Sequence, residues 1–349
     1  MPKNTIIFHT YSDNQSDFVR VRYPLFVASS HYLNGGMKAE LHSHCINDPI
    51  TFNDVQSVVL QRPVQPVQVQ QAFYYASLRE KYKFNLVFEW DDVLWNLVDP
   101  HSRGTQTDDY STKVFRENTL KIANLPNFVV CSTRTLAHEW KDISKRPAIV
   151  LPNGVPGGIL TEVHPEIHQD IKKPKVLWGG AAGHEDDFWP NWKEWLTTAI
   201  NNDRIEFHTF VVPDFLKPLE SKIFVHPQTT VLTWLPVINS IHPDIYIAPI
   251  VNNTLNRSKS DLKVKEAAAI GCVFLGSDFP GSPYSGVAGG MRVKETEAIQ
   301  PLVDNICIAE NYNAYRNSLR SKYDSNGWDI CSQKFMRRWM EAYANGREI

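Results

Sequence analysis

Short apolar runs alternate with longer amphipathic stretches over the first half of the chain. The runs 5–8, 55–60, 85–88, Phe128–Cys131 and 148–151 are rich in Val, Ile and Phe, with few polar interruptions. Such runs predict strands buried on both faces, as in a parallel sheet. Between them, 17–33, 69–82, 111–123 and 133–143 have helical length. Strand-helix alternation of this kind predicts βαβ units.

The run IVLPNGVP at 149–156 ends a strand in Pro and Gly, and 157–173 is polar and poorly patterned. This reads as a hinge. A second alternation follows. Strands are expected at 176–179, 206–212, 231–233, 245–250 and 273–276. Helices are expected at 188–201, 261–270, 297–308 and 314–323. The last segment, 329–343, places Cys331, Phe335, Trp339, Ala342 and Tyr343 on one stripe. The expected organisation is residues 1–155, a hinge at 156–173, residues 174–328, and a final helix in 329–349. Two α/β halves on a hinge leave a cleft between them. Ligands of open α/β sheets bind at the carboxyl ends of the strands.

Composition narrows the class. A length of 349 residues suits two domains. With 42% hydrophobic residues, including 10 Trp, wholesale disorder is excluded. Lys and Arg total 36 against 38 Asp and Glu, so a strongly basic nucleic-acid wrapper is not expected, while a local basic patch stays open. No apolar run approaches the roughly 18–20 residues of a membrane span. The first ten residues lack the apolar core and cleavage site of a signal peptide. Cys45, Cys131, Cys272, Cys307 and Cys331 are scattered and form no CxxC pair, which suits reduced thiols and a cytoplasmic protein.

Candidate chemistry follows the strand ends. In 245–278 a strand closes at Pro249 and a helix opens after Ser260, a plausible N-cap, and ends at Gly271. Arg257, Lys259, Lys263 and Lys265 crowd that helix start. Together with its free N–H groups they make a candidate diphosphate receptor, unless they are ordinary solvated charges. Glu266 lies one turn beyond Lys263 and could accept from ligand hydroxyls. In 176–188, Gly179, Gly180 and Gly183 precede His184, without the Lys-Ser/Thr ending of a P-loop. Asp91 and Asp92 follow the strand 85–88. They suit a general base, a metal pair, or a cap for the next helix at Asp92. His42 and His44 with Cys45 lack further ligands at metal spacing. Trp178, Trp189, Trp192 and Trp195 read as core, with stacking on a sugar or base as the other possibility.

Jointly these landmarks resemble the nucleotide-sugar glycosyltransferases of the GT-B fold, specifically the family-4 group and its bacterial and phage relatives. FVRVRYP at 18–24 looks like that group's first helix, and FEWDD at 88–92 is similar to its aspartate-rich strand end. VCST at 130–133, LPNGV at 151–155, Gly179-Gly180 with His184 and Asp187, and the positions Ala248, Pro249, Asn256, Lys259, Ser260, Lys263, Glu266 and Gly271 continue the series in order.

The resemblance implies an α/β fold of two Rossmann-like domains facing each other across a cleft, with the last helix crossing back to the N-terminal one. It implies transfer of a sugar from a nucleoside-diphosphate sugar to an acceptor hydroxyl, usually with retention and without an obligatory metal or other cofactor. Gly179, Gly180, Arg257, Lys259 and Lys263 would hold the diphosphate and Glu266 the nucleotide ribose. Asp91, Asp92 and His184 would serve catalysis. The first of the family's paired glutamates is replaced by Ser258. The acceptor would be a saccharide, a lipid-linked glycan, or, in a phage-type enzyme, a hydroxymethylated pyrimidine in DNA. DNA would need a basic groove, to which Arg20, Arg22, Lys81, Lys83, Arg134, Lys141, Lys145 and Arg146 could contribute. A non-catalytic nucleotide-binding scaffold and an epimerase of the same fold are the alternatives.

Overall fold

The computed structural model describes residues 5–10, 18–31, 38–42, 52–95, 109–160, 162–180, 184–230, 233–285 and 290–348. The first half builds one parallel sheet from β1 (Thr5–His9), β2 (Lys38–His42), β3 (Val55–Gln61), β4 (Asn85–Trp90), β5 (Phe128–Cys131) and β6 (Ala148–Val150), in the order β2-β1-β3-β4-β5-β6. The second builds another from β7 (Lys175–Trp178), β8 (Glu206–Thr209), β9 (Phe224–Val225), β10 (Ile245–Ala248), β11 (Val273–Ser277) and β12 (Met291–Val293), ordered β12-β11-β10-β7-β8-β9. Helices cover both faces, which is why the central strands are continuous apolar runs.

The central strands fall where the apolar runs place them. Of the edge strands β6 does so too, whereas β2, β9 and β12 give no such run. A strand is expected at 231–233. Residues 231–232 lie outside the described set, and Thr233 opens the helix Trp234–Ile241. Its β-branched residues resemble a strand, but Leu235, Ile238 and Ile241 recur at helical spacing and are buried. Pro236 is tolerated there because a first-turn N–H needs no partner. The four tryptophans are core: Trp178, Trp189, Trp192 and Trp195 are all buried. Of the His42 to Cys45 cluster, His42 closes β2 and the rest lies outside the described residues.

The chain crosses between the halves twice, side by side. Val155 N–H donates to Trp328 O at 2.9 Å, and Ile330 N–H donates to Val155 O at 3.0 Å. The helix Gln333–Asn345 then lies on the first sheet. Trp339 stacks on Phe8 at 5.0 Å, and Tyr343 meets Phe8 edge-on. With the helix Tyr23–His31 it closes one face of that sheet around Ile6, Val59 and Val130.

Candidate functional site

In the second sheet the chain runs outward from β7 through β8 to β9, then returns to the other side of β7 for β10, β11 and β12. The crevice lies where this order reverses, at the carboxyl ends of β7 and β10. After β7 come Gly179 and Gly180. A Cβ on Gly180 would collide with the Trp178 ring, and one on Gly179 with the Tyr246 hydroxyl. Only glycine lets the backbone pass against these rings and stay open to a ligand. After β10 come Pro249 and Ile250, the short helix Thr254–Ser258, and the helix Leu262–Ile270. The strand ends, Lys259, Ser260 and the start of the second helix line a cavity of about 300 Å³, which Asp91, Asp92 and Asn153 close from the first half.

Lys259 and Lys263 both line it. Lys263 is held by Glu266 Oε2 at 3.0 Å and lies 4.8 Å from the Trp234 ring centroid. Glu266 is 2% exposed and also accepts from Tyr246 OH at 2.8 Å and Trp234 Nε1 at 3.1 Å. It therefore stands behind the lining and fixes Lys263. Arg257 and Lys265, expected beside them, point elsewhere. Lys265 is buried, paired with Asp261 at 2.7 Å and donating to Asn153 O at 2.8 Å. Arg257 donates to Asn252 Oδ1 at 2.9 Å and faces a neighbouring groove.

His184 Nδ1 donates to Asp187 Oδ2 at 2.7 Å. Asn256 Nδ2 donates to Asp187 Oδ1 at 2.7 Å. Burial pushes the Asp187 carboxyl up, but the His184 hydrogen bond and the Lys259 charge outweigh it and hold the group below its ordinary value. A depressed carboxylate stabilises the fold above the unfolded pKa, near 4, and loses that contribution as pH falls further. Asp187→Asn is thus expected to cost about 1.5–3 kcal/mol at pH 7, and progressively less below about pH 4. Urea midpoints across that range check it. A deficit unchanged down to the lowest pH at which the protein folds would place the effect elsewhere.

Asp91 and Asp92 share one guanidinium. Arg62 Nε pairs with Asp91 Oδ1 and Nη2 with Asp92 Oδ2, the latter at 3.0 Å. Arg62 follows β3 with φ at +43°, a left-handed turn that few non-glycine residues adopt. Asp92 caps no helix among the described residues. Among the described residues no group of three or more His, Cys, Asp or Glu gathers there at metal-binding distance.

A buried polar chain links the halves behind the cavity. Arg20 pairs with Glu89 and donates to Asn153 Oδ1 at 2.7 Å and Leu151 O at 2.8 Å. Asn153 Nδ2 donates to Ser260 Oγ at 2.9 Å. Ser260 is therefore a partner of Asn153, and Asp261 takes the N-cap position expected for it.

No protein-family model and no curated protein matches the sequence. Solved structures match the fold. A glycosyltransferase from Rickettsia africae ESF-5 aligns at TM-score 0.58 and 12% identity, over 98% of this chain and 99% of that one. Anabaena HepE in complex with UDP aligns at TM-score 0.56 and 10% identity, over 97% and 99%. S. aureus MnaA with UDP aligns at 0.52 and 9%, over 99% of each chain. The fold is GT-B.

Ser258, where the resemblance implies a glutamate, is committed to packing. Ser258 is fully buried, its hydroxyl donates to Leu255 O at 2.8 Å, and its carbonyl accepts from Thr133 Oγ1 of the first half at 2.9 Å. The position is a buried contact between halves. The groove expected for DNA does not form one stripe. Arg20 is 2% exposed and committed to Glu89. Lys81 and Lys83 precede β4, and Lys145 and Arg146 precede β6, at the sheet end opposite Asp91. Arg62 escaped the sequence reading, and Asn153 entered it only as part of the LPNGV landmark, without a role at the cavity. The one usable signal was the neighbour relation of β3 and β4, which puts whatever follows β3 beside Asp91. No helix among the described residues is long and apolar enough to cross a membrane.

Proposed function

We infer that the protein is a glycosyltransferase that moves a sugar from a nucleoside-diphosphate sugar to an acceptor hydroxyl. The observation that carries this is the cavity's polarity: Lys259 and Lys263 with the open Gly179-Gly180 backbone on one wall, Asp91 and Asp92 on the other. Cations and backbone N–H groups stabilise a departing diphosphate, and a carboxylate across from them accepts the proton of an attacking hydroxyl. His184, oriented by Asp187, adds a polar group beside the transferred sugar. Glu266 reaches the nucleotide ribose only if one of its present donors gives way, and otherwise acts by holding Lys263. Retention of configuration is the outcome the resemblance favours. UDP is the first nucleotide to try, because the HepE and MnaA structures are complexes with it.

Calorimetry with UDP, GDP and ADP tests the donor site. One of them should bind, and Lys263→Ala should weaken it about 10–100-fold. Binding of none overturns the assignment. Mass spectrometry with the matching nucleotide sugars and saccharide, lipid-linked and hydroxymethylated-DNA acceptors tests transfer. Binding without transfer to any acceptor favours the scaffold reading, and isomerised sugar without acceptor favours an epimerase.

A further inference from the structure

Beyond the residues Lys259 to Asp261 lies a second groove, of about 580 Å³, on the hinge side of the cavity. Its walls come from both halves. Arg134 opens the helix Arg134–Lys141 of the first half, Arg257 sits in the last turn of the short helix Thr254–Ser258, and Lys322 projects from the helix Ala309–Asn326. Lys259 lies between groove and cavity. The single carboxylate in the lining, Asp261, is already paired with Lys265 at 2.7 Å.

Arg134, Arg257 and Lys322 are all exposed, and among the described residues none of them has a carboxylate partner. Arg257 bonds only a neutral amide, Asn252, and its stem lies along Gly281 at 3.4 Å from where a Cβ would sit. Three like charges gathered in one concavity repel one another, and an anion relieves that repulsion. Around them stand neutral donors: the hydroxyls of Thr135 and Ser285, and the first-turn N–H groups of the helix that Thr133 caps. Arginine forks and hydroxyls on a helix start are the donor set of phosphoryl oxygens.

We propose that this groove is a second binding site, for a small anion carrying two or more phosphates, separate from the cavity that holds the donor. Its size, about 580 Å³, admits such an anion. Because Arg134 belongs to one half and Arg257 and Lys322 to the other, a bound polyphosphate ties the halves together beside the hinge.

Tripolyphosphate is the probe, titrated calorimetrically into the full chain in phosphate-free buffer. Wild type should bind two equivalents. Lys263→Ala should lose the cavity site and keep the groove site. Arg134→Ala with Lys322→Ala should do the reverse, with groove affinity about tenfold weaker per cation removed. Both residues are exposed, so unliganded melting should not change, and Arg134→Lys should restore part of the affinity. A single equivalent abolished by Lys263→Ala, or binding unaltered in the double variant, overturns the proposal, as does no binding at all. The donor assignment is judged separately by the nucleotide titration. A DNA duplex that binds wild type and not the double variant would also overturn it, by making the ligand a nucleic-acid backbone.

Discussion

Arg20→Ala is expected to cost about 3–5 kcal/mol of folding stability. The reason is what it leaves behind. Glu89 is fully buried beside Asp91, and burial already pushes its carboxyl up to about 7 against the pull of Arg20. Without the guanidinium the carboxylate keeps only the weaker pull of Arg62, which Asp91 and Asp92 already engage, and its proton is held still more tightly. Arg20 also anchors Asn153 and, through its own carbonyl, accepts from Trp339 Nε1 at 2.8 Å. The deficit should grow as pH rises above 7. There the wild type ionises Glu89 freely, while the variant keeps binding a proton and loses stability with each further unit. Replacing both partners, Arg20→Met with Glu89→Leu, should cost less than the single change, because no buried charge remains. Urea unfolding of the three proteins at pH 6 and 8 measures this. Equal deficits at both values would mean that the uncompensated carboxylate is not the source.

The second large effect is catalytic. Asp92→Asn is expected to lower the rate of sugar transfer about 10²–10⁴-fold while nucleoside-diphosphate affinity stays within about twofold. Of the two carboxylates Asp92 is the more open, with 22% of its side chain exposed against 5% for Asp91. An acceptor hydroxyl needs a base it can reach. Asparagine keeps the shape and the contact with Arg62 but cannot take the proton. Asp91→Asn should act more weakly and through position. Arg62→Lys should fall between, since a point charge cannot hold two carboxylates as a fork does. Transfer that survives Asp92→Asn undiminished would move the base elsewhere, with His184 next in line.

The sequence made the central strands legible because burial on both faces forces continuous Val, Ile and Phe. Edge strands escape that constraint, so KAELH at β2 and FV at β9 carried no readable signal. The residues after the strands were legible for a related reason: in a parallel sheet they share one rim. Asp91, Asp92, Gly179, Gly180, Lys259 and Lys263 all reach the cavity on that rule. The rule fails within a helix. Lys263 and Lys265 are two positions apart, roughly 200° around the axis, so one faces the cavity and the other the first half. Arg62 and the Asn153–Ser260 contact depend on which strands adjoin and how the halves meet, and spacing along the chain encodes neither.

The helix Gln333–Asn345 closes the first sheet although some 180 residues of the second half come between. A ribosome therefore delivers the cover for Phe8 and Val130 only after the second half. Until Trp339 arrives, the earlier-made half carries an open apolar face. The half synthesised first is the half whose folding is completed last.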